Sequence, residues 1–193
     1  MSGRSEGHES ASWWTRNVSP LNAILRVLLG IVWMIDGILK FTSGFASIFL
    51  SNLQSTQQTA PSWLSGWFQF WVNVTSPNPA AVVYTVGAFE LLLGISLLFG
   101  FMRKIAYAGG FVLAMLIWAI PESFGGLYTI TVNTTDIGTG ILYAFAMMGL
   151  ILINAAHGTS RWSIDYYLER RFPGWARIAE FSVPMWGPTA AAA

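Results

Sequence analysis

The chain has 193 residues, 54% of them hydrophobic and 10% charged, with a formal net charge of +1 and a mean hydropathy of +0.53. A soluble domain carries about 25% charged residues, so this is the composition of an integral membrane protein, and it holds no basic cluster of the kind that meets nucleic acid. Cysteine is absent, which excludes disulfides, thiolate catalysis, iron–sulfur clusters and zinc–thiolate sites. His8 and His157, the two histidines, would ligate one haem only if an N-terminal tail folded back on the chain.

Residues 1–20 are polar and read as a mobile tail without the apolar stretch of a signal peptide. The tail ends in an interfacial anchor, Trp13-Trp14-Thr15-Arg16, and in a helix start, with Ser19 as cap and Pro20 in the first turn. Span one follows, about 21–41, and holds Arg26, Asp36 and Lys40. A charge at the centre of a spanning helix costs roughly 2.5–3.5 kcal/mol on insertion scales, so it persists when it has a partner, a cavity or a ligand. Arg26, Trp33 and Lys40 lie at i, i+7, i+14 and share one face, with Asp36 one turn before Lys40.

Residues 42–79 contain no Lys, Arg, Asp or Glu. Trp63, Trp67 and Trp71 recur there at i, i+4, i+8 after Pro61-Ser62, which fits a short interfacial helix, or a loop packed by aromatics. Span two, about 80–101, opens at Pro77-Asn78-Pro79 and carries Glu90, with Gly87 and Gly94 a turn away on either side to let another helix approach. Arg103-Lys104 ends it. Span three, about 105–120, is short for a bilayer. Span four, about 136–156, starts at the capping residues Thr134-Thr135-Asp136. Residues 157–193 form a second tail, read as disordered at its end. The expected fold is therefore an all-α integral membrane protein: a four-transmembrane-helix bundle over 21–156, with a long external loop carrying the interfacial helix.

Arg26 and Lys40 apart, every Lys and Arg (Arg4, Arg16, Arg103, Lys104, Arg161, Arg170, Arg171, Arg177) falls on one side of these spans. The positive-inside rule then places both termini in the cytoplasm of a multi-pass cell-membrane protein. The sequons at Asn73 and Asn133 fall outside and that at Asn17 inside.

With this topology Glu90 lies ~15 Å below the outer start of span two at 1.5 Å per residue. Asp36 and Lys40 lie near the outer end of span one, and Glu122 and Asp136 at the outer mouth. Together they would line an outward-opening polar pocket, where a lysine and two helix N-termini favour an anion. The plainer readings are that Asp36 pairs with Lys40, that Asp136 only caps and that Arg26 reaches the inner headgroups. Glu90 has no water to reach, so it needs a partner or a proton.

Three pieces carry a family resemblance: Arg26-x-x-x-Gly30-x-x-Trp33-x-x-Asp36-Gly37-x-x-Lys40-Phe41, then Glu90-Leu-Leu-Leu-Gly94-x-x-Leu97-x-x-Gly100, then Thr135-Asp136-Ile-Gly138-Thr-Gly140. Over about 20–156 the chain resembles the DoxX/DoxD family of small four-helix membrane proteins, and its Asp36-Gly-x-x-Lys-Phe form looks most like the DoxD branch. That resemblance implies the membrane subunit of an archaeal thiosulfate:quinone oxidoreductase. Its cofactor would be a quinone, and its partners a second, DoxA-like subunit and a terminal quinol oxidase. In that reading Asp36, Glu90 and Lys40 are catalytic, Arg26 and Trp33 hold the quinone, Lys40 and Asp136 hold the sulfur anion, and no metal or flavin motif is present. The alternatives are a non-catalytic subunit of a respiratory complex and a small anion or proton transporter.

Overall fold

The computed structural model describes residues 5–127 and 137–182, with side chains from residue 18 onward. Among these residues the structure is helical, without strands. Helix α1 runs Ser5–Leu39, α2 Phe45–Thr59, α3 Ser62–Thr75, α4 Pro79–Phe99, α5 Arg103–Ala119, α6 Thr139–His157, α7 Ile164–Arg171 and α8 Ala176–Ala179. Among the described residues three segments are long and apolar enough to cross a membrane: Val18–Leu39, Pro79–Phe99 and Thr139–His157. Helix α5 has 17 residues, about 26 Å of rise, and packs along α6.

The outward surfaces of these helices carry the large apolar side chains, such as Ile24, Leu28, Ile31, Ile35 and Ile38 on α1 and Phe89 and Leu92 on α4. The inward surfaces carry the buried polar residues Arg26, Glu90, Arg103 and Asn154 and the close-packing glycines, around a core of Trp33, Leu97, Tyr107, Met147 and Leu150. This is the distribution a lipid solvent permits, since burying leucine against leucine gains little over leaving it in lipid.

Helix α1 packs on α4 through glycines at heptad spacing on both. A Cβ on Gly30 would lie 2.9 Å from the Leu98 backbone nitrogen, and one on Gly37 3.0 Å from that of Leu91. Gly94 faces Met34, and Gly87 faces the Lys40 stem and the Gly37 carbonyl. The expected close approach at Gly87 and Gly94 is thus matched by glycines on the other helix. Helix α5 packs on α6 in the same manner, with Gly140 against Trp118 and Ala114. The bundle closes where Trp33 of α1 meets Tyr143 of α6, ring centres 5.6 Å apart.

Four elements depart from the sequence expectation. Helix α1 does not start at Ser19 but continues through Pro20 from Ser5. A proline removes one helical hydrogen bond and does not forbid the residues before it from coiling, and the Ser19 hydroxyl bonds Ser160 Oγ at 2.9 Å instead of capping. The charge-free connection is a helical hairpin, α2 and α3, rather than one short helix. Its halves meet through Leu53, Leu64, Phe68 and Val72, over Ile120 at the end of α5.

Helix α6 starts at Thr139, where the Glu122 carboxylate accepts from Gly140 N at 2.8 Å and from the Thr139 hydroxyl. That carboxylate supplies the cap that Thr134, Thr135 and Asp136 were expected to supply; those three lie outside the described residues. The small-residue end of the second tail, read as disordered, lies outside the described residues; before it the tail folds into α7 and α8, because Asp165 of α7 is buried at the start of α5. Its carboxylate accepts from Met102 N, Arg103 N, Arg103 Nε and Trp175 Nε1, all within 2.8–3.0 Å. One buried acid thereby caps α5, neutralises Arg103 and ties down α7.

Candidate functional site

Two polar clusters sit at opposite ends of the bundle. At the end where α1 finishes and α4 begins, Lys40 Nζ lies 3.1 Å from Glu90 Oε2, with side chains 19% and 1% exposed. The pairing depends on Gly87. A Cβ there would come within 2.8 Å of the Lys40 Cβ, so the missing side chain is what lets the lysine stem lie against α4 and reach the acid one turn on. Lys40 Nζ also lies 3.4 Å from the Asp36 carbonyl and 5.2 Å from the centre of the Phe45 ring. Glu90 Oε1 has no hydrogen-bond partner among the described residues.

Asp36 is half-buried and lies within electrostatic reach of Lys40, Glu122, Glu90 and the Tyr143 hydroxyl. It makes no ion pair among the described residues. The Asp36–Lys40 pairing that their spacing suggests is therefore replaced by a pairing across helices. Trp33 is fully buried beneath this group, and its indole N–H has no partner among the described residues.

Beside the ion pair is a cavity of about 310 Å³. Lys40 and Glu122 form its polar corners, Phe45, Phe49 and Trp71 of the α2–α3 hairpin roof it, and Val83, Val86 and Ile117 form its walls. The Trp71 Nε1 donor has no partner among the described residues, whereas Trp67 Nε1 donates to the Ala119 carbonyl at 3.0 Å and Trp63 is exposed. The three tryptophans thus have three different surroundings. A volume of about 300 Å³ is at the lower end for a small-molecule pocket. The slot is apolar, with a lysine and an unpartnered indole N–H at its edge and two acids nearby.

The same geometry corrects two expectations. An anion was expected at the helix N-termini with Lys40 and Asp136 holding it. The α4 terminus is already capped, Asn78 Oδ1 accepting from Ala81 N at 3.0 Å, and the α6 terminus is capped by Glu122. Lys40 is paired with Glu90, with the Asp36 and Glu122 carboxyls nearby, so its ammonium already has a partner; Asp136 lies outside the described residues. Arg26 was expected to steady the cofactor. Its position i−14 from Lys40 puts it about 21 Å away along α1, at the other end. It is 3% exposed and donates to the carbonyls of Leu97, Leu98 and Trp162. It therefore satisfies the C-terminal carbonyls of α4 rather than a ligand.

That other end holds the second cluster. Arg103 Nη2 lies 3.5 Å from Glu169 Oε1 and 3.7 Å from Glu180 Oε1, and donates to Thr159 Oγ1 at 2.7 Å. Burial pushes the Glu169 carboxyl above its ordinary value, with Glu180 and Asp165 adding to the rise and the Thr159 hydroxyl and Arg103 opposing it. Among the described residues no group of three or more His, Cys, Asp or Glu is placed to hold a metal ion.

The class defined by this architecture is a multi-pass helical membrane protein with charged side chains buried between its spans. The DoxX family model matches residues 21–123, more than half of the chain, and the chain belongs to that family. No curated protein and no solved structure matches it.

Sequence reasoning brought Asp36, Lys40 and Glu90 to one site through the expense of charge in an apolar span, and the structure places the three together. It missed Tyr143, which has no such expense to announce it. It did not single out Trp71, because its spacing with Trp63 and Trp67 does not disclose which indole turns inward.

Proposed function

We propose that this chain is the quinone-reducing membrane subunit of a respiratory oxidoreductase of the thiosulfate:quinone type, with sulfur-anion oxidation at the outer face completed by a DoxA-like partner subunit. The supporting observation is the buried Lys40–Glu90 pair at the edge of an apolar cavity. A bound quinone would supply an electron-pair acceptor that also takes up protons. Lys40 and the Trp71 N–H would donate to its carbonyl oxygens, and Glu90 and Asp36 would hold and pass protons. Trp33 would buttress the site from below rather than touch the ring. Because Lys40 is already paired with Glu90, the cavity favours this neutral acceptor over an anion, which moves anion binding to the partner's surface.

In the membrane, α5 acts as the fourth crossing. The ends bearing Arg103, Lys104, Arg161, Arg170, Arg171 and Arg177 face the cytoplasm, so the Lys40 cavity opens toward the outside. The test is purification with and without the partner, followed by an assay of thiosulfate-dependent quinone reduction. Turnover by the complex, lost in Lys40→Met, is expected. A complex that keeps quinone bound and is inert contradicts the catalytic role.

A second reading, a non-catalytic subunit, draws support from the charges that serve as helix caps: the buried Arg26 and Asp165 and the partly exposed Glu122. It is separated by Glu90→Gln, which leaves turnover of the complex intact if the role is structural.

A further inference from the structure

Helices α4 and α5 are joined by a tight turn at 100–102, yet their contact is slight beside those of α1 with α4 and α5 with α6. The reason lies in α5, which presents Ala106, Ala108, Gly109 and Gly110 to the seam. Side chains that small leave a trough. The result is an apolar groove of about 810 Å³ open to the lipid side, bounded at the cytoplasmic-facing end by Lys104 and Phe181.

At its other end the groove reaches Leu113 and Leu116, and these two leucines also line the 310 Å³ cavity beside Lys40. They form a sill between the two spaces. Leu116 is 38% exposed, and exposed side chains change rotamer in picoseconds to nanoseconds. From Lys104 to Leu116 the groove follows about 18 Å of α5 at 1.5 Å per residue.

We propose that the groove and the cavity are one binding site for an isoprenoid-tailed quinone, which enters sideways from the bilayer between α4 and α5. The head crosses the sill to Lys40 and Trp71, and the tail lies along Gly109 toward Lys104. This rests on the quinone reading above and adds the route and the tail site. A phospholipid would keep its headgroup at the membrane surface and leave the polar-cornered cavity unfilled. Only an amphiphile with a small polar head and a long apolar tail uses both spaces.

Gly109 allows a clean test, because a Cβ built there meets no atom within 4 Å. Gly109→Leu adds its side chain from a point where a Cβ has room, so it narrows the groove, and unchanged thermal unfolding checks that the fold survives. Binding of a tail-less benzoquinone and of the same head with a polyprenyl tail is measured in nanodiscs of one lipid composition. The wild type is expected to bind the tailed form about tenfold more tightly, a ratio equal to about 1.4 kcal/mol, and Gly109→Leu to lose that advantage while binding the tail-less form as before. A photoactivatable group on the tail is expected to label α4 and α5.

A tail advantage that survives in Gly109→Leu, labels confined to other helices, or a phospholipid that stays in the groove at saturating tailed quinone would each overturn the lateral site while leaving the quinone reading standing. Failure of the wild type to bind either quinone overturns both.

Discussion

Lys40 and Glu90 come from different helices, and each would be intolerable in lipid alone. Breaking a buried pair by removing one partner costs about 3–5 kcal/mol, whereas replacing both by apolar groups is often neutral. Lys40→Met is therefore expected to lower thermal stability in detergent markedly, and Lys40→Met combined with Glu90→Leu to recover most of the loss. A double variant no more stable than Lys40→Met would show that the two side chains are not energetically coupled. The three charges were legible individually because each breaks an apolar run. Their pairing was not, since Asp36 is one turn from Lys40 in sequence, and only the rotation of α1 against α4 decides that Glu90 takes the lysine. Arg26 was misread as a cofactor ligand although its position gives its depth, because the sequence does not disclose the Leu97, Leu98 and Trp162 carbonyls waiting there.

Helix contacts show where glycine is obligatory. Gly30 faces the Leu98 backbone at 2.9 Å, and a backbone atom cannot step aside, while a Cβ on Gly149 of α6 meets nothing within 4 Å. Gly30→Val is expected to abolish recovery of folded protein, and Gly149→Val to leave it near wild type, as read by size-exclusion profile and melting curve. Helix α2 was the element missed. Its serine, threonine and glutamine content reads as loop, and the stripe Phe45, Phe49, Leu53 at i, i+4, i+8 was the signal that it coils. Helices α7 and α8 were missed because what secures them is an acid buried at the head of another helix.

Their attachment also titrates. Glu169 binds its proton more readily folded than unfolded, so stability falls as pH rises from its ordinary value of 4.5 through the raised one. Hydrogen exchange in α7 is expected to quicken over that window in the wild type, and to lose this dependence in Glu169→Gln. A window unchanged in the variant assigns the effect to another group.

Taken whole, the molecule is polarised. One end gathers Arg26, Arg103, the α7 acids Asp165 and Glu169, and Glu180 just after α8, and the other holds Lys40, Glu90, Asp36 and Glu122 under a charge-free hairpin. Composition and basic-residue placement made this polarity legible before any helix was seen, because both are averages over many residues. The cavity was not, since it exists only where the α2–α3 roof meets α4 and α5. The chain lacks cysteine, so single cysteines report topology directly. In intact cells an impermeant maleimide is expected to label Ser55→Cys on the hairpin and to spare Gly174→Cys beyond α7, and the reverse pattern would invert the orientation. The occupant of the cavity is seen most directly in a density map of the protein in nanodiscs at saturating quinone. Flat ring density between Lys40 and Trp71 is expected; a cavity that stays empty, or is filled by lipid, at that concentration would contradict a quinone site in this protein.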